Sequence, residues 1–268
     1  MQFDRPPFLE VIASLKWIPV SSGQMKSNIA PEQPQPIFAT PLQDDFISGF
    51  AKGAAALGLT VSERMVPPGM PYISYQPALR VRALDNENSK MLYQVGPGLF
   101  SAHAVPPYRN WEAFRPFAQD GLDALLMTRN VEEKGSPFIN VALRYMNLFT
   151  SELVGQRSTF QFFTEVMGFE LKLPETLRSR LKDDQKVEPQ LSLRLALRSG
   201  LEMHLNFVGT ATIGDKTGIL MDIIVASKEN IVADHNAVSQ VWEEAHTAIQ
   251  DTFLALTTPL HSTMRAIG

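Results

Sequence analysis

The chain has 268 residues, 44% apolar and 19% charged, enough for one large domain or two ordinary ones around a real core. A formal net charge of −4 argues against a dedicated binder of nucleic-acid backbone, which carries a basic surplus. The absence of cysteine excludes disulfides, thiolate catalysis and Cys-built zinc sites. No apolar run predicts a membrane span and no signal-peptide pattern opens the sequence, so a cytoplasmic protein is expected.

Residues 7–18 run apolar with Phe8, Val11, Ile12, Trp17 and Ile18, which predicts a strand. Residues 19–39, with Pro19, Pro31, Pro34 and Pro36, predict a loop of polyproline character, either a surface connection or a partner-binding arm. Thr40-Pro41 followed by Asp44 and Asp45 opens a helix, and Phe46, Phe50, Ala54 and Leu57 form its apolar stripe up to Gly58. Residues 59–76 read as irregular. Strands follow at 79–83, 90–96 and 99–105, separated by turns at Asp85–Asn88 and Gly96–Gly98. Asn110 caps a helix over 111–127, and Pro116 and Gly121 predict a kink in it.

The second half opens with a strand over 138–148. Short helical pieces start at Ser158 and Pro174. Strands follow at 190–198, with Leu191, Leu193, Leu195 and Leu197 on one face, then at 201–209 and, after a turn at 214–218, at 219–227. A long helix is predicted over 235–257, and its Trp242 and Phe253 suit either a core or a dimer interface.

Both halves therefore read strand, helix, three-strand meander, long helix, and both open on Pro-Phe, at Pro7-Phe8 and Pro137-Phe138. The expected architecture is α+β: an internal duplication of a β-α-β-β-β-α unit, with repeats at 1–130 and 131–268. Pairing the two edge to edge gives an antiparallel sheet of about eight strands with helices on one face, in the saddle topology of TATA-binding-protein-like folds. The alternative is two separate α+β domains meeting near 128–137.

If the leucines of 191–197 face the helices, the opposite face carries Arg194, His204, Asp222, Arg80, Arg82 and Arg144, with Glu202, Asn206, Gln94 and His103 alongside. Such a face suits a small anionic ligand or a protein partner, although an ordinary solvated face has the same composition. His235 and His246 lie about 16 Å apart along one helix and read as solvent-facing rather than metal-binding. No nucleophile elbow or P-loop is present, the carboxylate pairs Asp44-Asp45, Glu132-Glu133 and Asp183-Asp184 at helix starts or turns read as dipole and solubility groups, and no cofactor or metal is implied.

Three stretches, Arg5-Pro6-Pro7-Phe8-Leu9-Glu10, Trp111-Glu112-x-Phe114 just after Tyr108, and Leu143-Arg144-Tyr145-Met146-Asn147, resemble an uncharacterised, sporadically distributed bacterial family of about this length. The resemblance implies no activity and imports no catalytic residue. It suits an accessory protein of a defence or toxin-control module. The motifs single out Glu10, Arg144, Tyr145 and Asn147, either as functional groups or as hydrogen-bonding groups at the junction of the halves. The leading expectation is a non-enzymatic binding protein that uses the polar sheet face. The competing readings are an enzyme acting there on an anionic or phosphorylated substrate through Arg144, Arg194 and His204, and a nucleic-acid binder using the arginines.

Overall fold

The computed structural model describes residues 2–20, 34, 36–37, 41–67, 70–84, 90–108, 110–182 and 187–267. The predicted polyproline loop and the Asp85–Asn88 turn lie almost wholly outside them.

A short strand β1 (Gln2–Phe3) precedes β2 (Phe8–Lys16). After β3 (Pro36–Ile37) comes helix α1 (Pro41–Ala56), which buries Phe46, Phe50 and Ala54 and is followed by Gly58 at φ +89°. That left-handed conformation favours glycine just past a helix end. Residues 61–64, read from sequence as irregular, form strand β4 (Val61–Arg64). It is an edge strand of four residues, and Val-Ser-Glu-Arg offers no buried alternation to announce it. β5 (Tyr72–Ile73) pairs with β3, and β6 (Leu79–Arg82), β7 (Met91–Gly96) and β8 (Leu99–Ala104) form the first meander.

Helix α2 (Trp111–Thr128) starts where Asn110 accepts a hydrogen bond from the Ala113 amide. It runs unbroken through Pro116 and Gly121, so the expected kink gives no helix break. Pro116 lies in the second turn and leaves the Glu112 carbonyl without its amide, a single lost bond that the helix spans without interruption. Gly121 packs against a wall: a Cβ there would lie 2.6 Å from the Tyr93 ring and 2.7 Å from that of Phe100.

β9 (Asn140–Thr150) opens the second half, followed by the short helices α3 (Ser151–Val154) and α4 (Thr159–Gln161). A capping box of Ser158 and Gln161 starts α4, which continues as a π-helical turn over Phe162–Val166. α5 (Glu175–Arg178) leads to β10 (Leu191–Ala196), β11 (Leu201–Ile213) and β12 (Lys216–Ser227). The last two strands extend further than the apolar pattern suggested, and the turn tightens to Gly214-Asp215 between Ile213 and Lys216. α6 (His235–Thr257), capped by Asp234, and β13 (Ala266–Ile267), paired with β1, complete the chain. No helix among the described residues is long and apolar enough to cross a membrane.

Nine strands form one antiparallel sheet in the order β10-β11-β12-β9-β2-β8-β7-β6-β4. The two halves meet where β2 pairs with β9, Ala13 opposite Leu143. One face carries Val11, Ala13, Leu15, Leu143, Met203, Leu205, Met221, Ile223 and Val225, all buried. The helices pack on this face: Phe50 of α1 and Phe117 of α2 meet Tyr93, Phe163 of the π-helical turn meets Phe207, and His246 of α6 meets Tyr145. Trp242 is 1% exposed and belongs to the core, which removes it from any dimer interface. The fold is thus α+β, with a large antiparallel sheet and its long helices on one side.

Candidate functional site: an aromatic pocket in the helical layer

All six arginine, histidine and aspartate positions expected on the uncovered face take the parity that puts them there. Arg82, Leu92, His103, Ile12, Arg144, Ile224, His204 and Arg194 are successive cross-strand partners across eight strands. Four of the six, Arg82, Arg144, His204 and Arg194, share this row, Arg80 and Asp222 lie off it, and the face does not gather them into one site. Arg82 and Arg194 stand seven strand spacings apart, about 34 Å at about 4.8 Å per step.

Most of their charge is met locally. Arg144 clamps Asp222, donating from Nε and Nη2 to the two carboxylate oxygens at 2.8 Å each, which raises the Arg144 pKa further. Glu202 accepts from His204 at 2.6 Å and pairs with Arg194 at 3.3 Å; those partners, His204 first, hold its carboxyl below the usual range. Arg80 reaches Glu63 at 3.2 Å. His103 bridges Ser101 and Glu10, so Glu10 ties β2 to β8 within the first half and not across the junction of the halves.

The opposite parity of β9 leads elsewhere. Tyr145 and Asn147 point to the helical side, where a cavity of about 380 Å³ opens between the start of β2, β9, the N-terminal end of α2, and α6. Phe8 joins them through a backbone irregularity. Simple alternation would put Phe8 with Ile12 on the uncovered face. The β2–β9 register shifts between Phe8 and Glu10, so Phe8 stands opposite Asn147 and turns to the helical side.

The pocket is walled by two stacked ring pairs. Phe8 lies on Tyr108 with centroids 4.3 Å apart and planes at 20°, and Trp111 lies on His246 at 4.8 Å and 11°. A hydrogen-bonded chain links the pairs: the Tyr108 and Tyr145 hydroxyls are 2.8 Å apart, and Tyr145 lies 3.3 Å from His246 Nδ1. The Trp111 indole donates to Glu243 at 3.0 Å, holding α2 against α6. Burial pushes the Tyr145 hydroxyl well above its ordinary range and Tyr108 in the same direction, and it lowers His246. At neutral pH the pocket therefore presents protonated phenols and an uncharged imidazole. His246, expected on a solvent face, is in fact half-buried, because its side of α6 closes this cavity.

Asn147 is the unsatisfied member. It is 4% exposed and lines the cavity, yet among the described residues its side-chain amide has no hydrogen-bond partner. The amide atoms are not among the fully buried polar atoms left without a partner, so they open onto the cavity and are free to meet a ligand atom or water.

The three stretches that carry the family resemblance converge here: Pro6 and Phe8 from the first, Tyr108, Trp111 and Glu112 from the second, Tyr145 and Asn147 from the third. Neither a protein-family model nor a curated protein matches the chain.

Proposed function

We propose that the chain is a non-enzymatic binding protein whose ligand site is the aromatic pocket of the helical layer. Asn147 carries the reading: an amide without a protein partner that opens onto a cavity among stacked rings, of a size that small ligands fill. Binding is favoured over catalysis by the chemistry of the lining. Phenols held protonated and an imidazole held neutral and stacked make good hydrogen-bonding walls. They include neither an activated nucleophile nor a charged acid–base pair.

We infer further that the halves are copies related by a two-fold axis through the Ala13–Leu143 pair, giving a saddle-like sheet. Register supports this. The numbering shift that matches Phe8 with Phe138 carries Ala13 onto its own partner Leu143, and carries Ile12 and Ser14 onto Ala142 and Arg144, which pair with Ser14 and Ile12. Followed outward through the meanders, the same operation carries Gln94 onto His204 and Arg80 onto Arg194.

A protein partner on the uncovered face is a second reading. It is supported by the half-exposed Ile12, Met146 and Ile224 lying between ion pairs, an apolar centre in a polar frame. A role in a defence or toxin-control module would need such a partner. A small anion, or a phosphorylated substrate turned over by Arg144, Arg194 and His204, has less support, since Arg144 and Arg194 are paired with carboxylates of the protein.

Screening a metabolite collection by tryptophan fluorescence tests the main reading, because Trp111 borders the pocket while Trp17 and Trp242 are buried in the core. Saturable hits are expected to vanish in Asn147→Leu and persist in Arg144→Ala. Hits that vanish in Arg144→Ala and persist in Asn147→Leu would move the site to the sheet face.

A further inference from the structure

The formal charge of the pocket's described lining residues is one-sided. Glu112 and Asp4 contribute carboxylates to the lining, and none of the described lining residues is Lys or Arg. Of the described cations near the lining, Arg115 pairs with Glu243 at 3.0 Å and Arg265 with Asp4 at 3.8 Å, while Arg5, between Asp4 and Pro6, lines the neighbouring cavity instead. Arg109, between Tyr108 and Asn110 in sequence, lies outside the described residues. The N-terminal end of α2 brings a partial positive charge to the mouth, and Glu112 in its first turn opposes it with a full negative one. Glu112 also acts inward: its field raises Tyr108 and Tyr145 and works on His246 in the same direction, against the burial that lowers that imidazole.

The rings add to this field. The π-faces and hydroxyl oxygens of Tyr108 and Tyr145, the Trp111 ring and the Asn147 carbonyl are all electron-rich. Aromatic walls with a carboxylate at the rim attract a cation that is only weakly hydrated. An anion would meet the unpaired Glu112 carboxylate and ring faces of like sign.

We propose that the pocket selects a small organic cation, an alkylated ammonium head on an apolar body. This rests on the pocket being the ligand site. The head sits against the Tyr108, Tyr145 and Trp111 rings, an N–H where present donates to the Asn147 carbonyl or a tyrosine oxygen, and Glu112 supplies long-range attraction. The remaining volume takes the apolar body along Phe3 and Phe253 of the outer wall.

The test is a Trp111 fluorescence titration with tetramethylammonium, choline and benzyltrimethylammonium, against 3,3-dimethyl-1-butanol, the uncharged isostere of choline, and the anion 3,3-dimethylbutanoate. Choline is expected to bind roughly 10-fold more tightly than its isostere, in the range of a desolvated cation–π contact. Glu112→Gln, at an exposed position and with folding checked by circular dichroism, should weaken choline several-fold and leave the alcohol unchanged. If the alcohol or the butanoate binds as tightly as choline, and Asn147→Leu abolishes that binding, the cation is wrong and the pocket stands. If no probe saturates, or Asn147→Leu changes nothing, cation and pocket fall together.

Discussion

Arg144 and Asn147 stand three positions apart on β9 and face opposite sides of the sheet, and the difference between them is satisfaction rather than polarity. Arg144 has its carboxylate; Asn147 has only a cavity. His246 adds a titration to the same cavity. Its folded pKa is lowered by burial, so the folded state prefers the neutral ring. Its contribution is then fully favourable above the unfolded value of about 6.5 and is lost progressively as pH falls from there through the folded value. Urea unfolding of wild type and His246→Phe across pH 5 to 8 should show wild type losing stability more steeply below about pH 6.5. Parallel curves would mean that His246 is solvated, and the cavity open to water.

Among the elements, α6 was the most legible in sequence: a 3.6-residue apolar period over 235–257 met the observed limits. β4 was hidden because an edge strand buries little, and β11 and β12 were underestimated because their outer ends are held by polar pairs such as Thr212–Thr217, at 3.1 Å, which period-2 apolarity does not report. The parity of β9, β10 and β11 placed Arg144, Arg194 and His204 on the uncovered face. The pocket was not legible, because its walls come from four separate elements and from a bulge that reverses Phe8. Only the quoted motifs pointed at Tyr145 and Asn147. α2 offers its own test. Gly121→Ala would gain about 1 kcal/mol of helix propensity. It would also push a methyl into the Tyr93 and Phe100 rings, an overpacking cost of about 1–3 kcal/mol. Net destabilisation by thermal or urea unfolding is expected; a more stable variant would show that α2 can shift away from the sheet.

Across the whole molecule, the two halves are joined by the β2–β9 ladder and by α2 against α6, through Trp111 and Arg115 with Glu243, Gln119 with Ser239, and Asp123 with His235. Separation would expose β2 and β9 as long unpaired edges and strip cover from both sheets. Fragments 1–130 and 131–268, each expressed alone, are expected to aggregate or stay largely unfolded. Co-expressed, they should copurify as a complex with the circular dichroism of the intact chain. Two stable, non-interacting monomers would contradict the shared core. The pocket proposed as the ligand site belongs to this same scale, since it takes Phe8, Tyr108 and Trp111 from one half and Tyr145, Asn147 and His246 from the other. The junction that completes the fold also completes the site.

The most direct test of the pocket as binding site is NMR shift mapping with a desalted small-molecule extract of the expression host, followed by its active fraction. The account predicts that the largest changes fall on the Asn147 side-chain amide, the Trp111 indole N–H and the backbone amides of Phe8, Tyr145 and His246, while Arg82, Arg194 and His204 stay unmoved. Shifts confined to Arg82, Arg144, Arg194 and His204, with Asn147 and Trp111 unchanged, would contradict it.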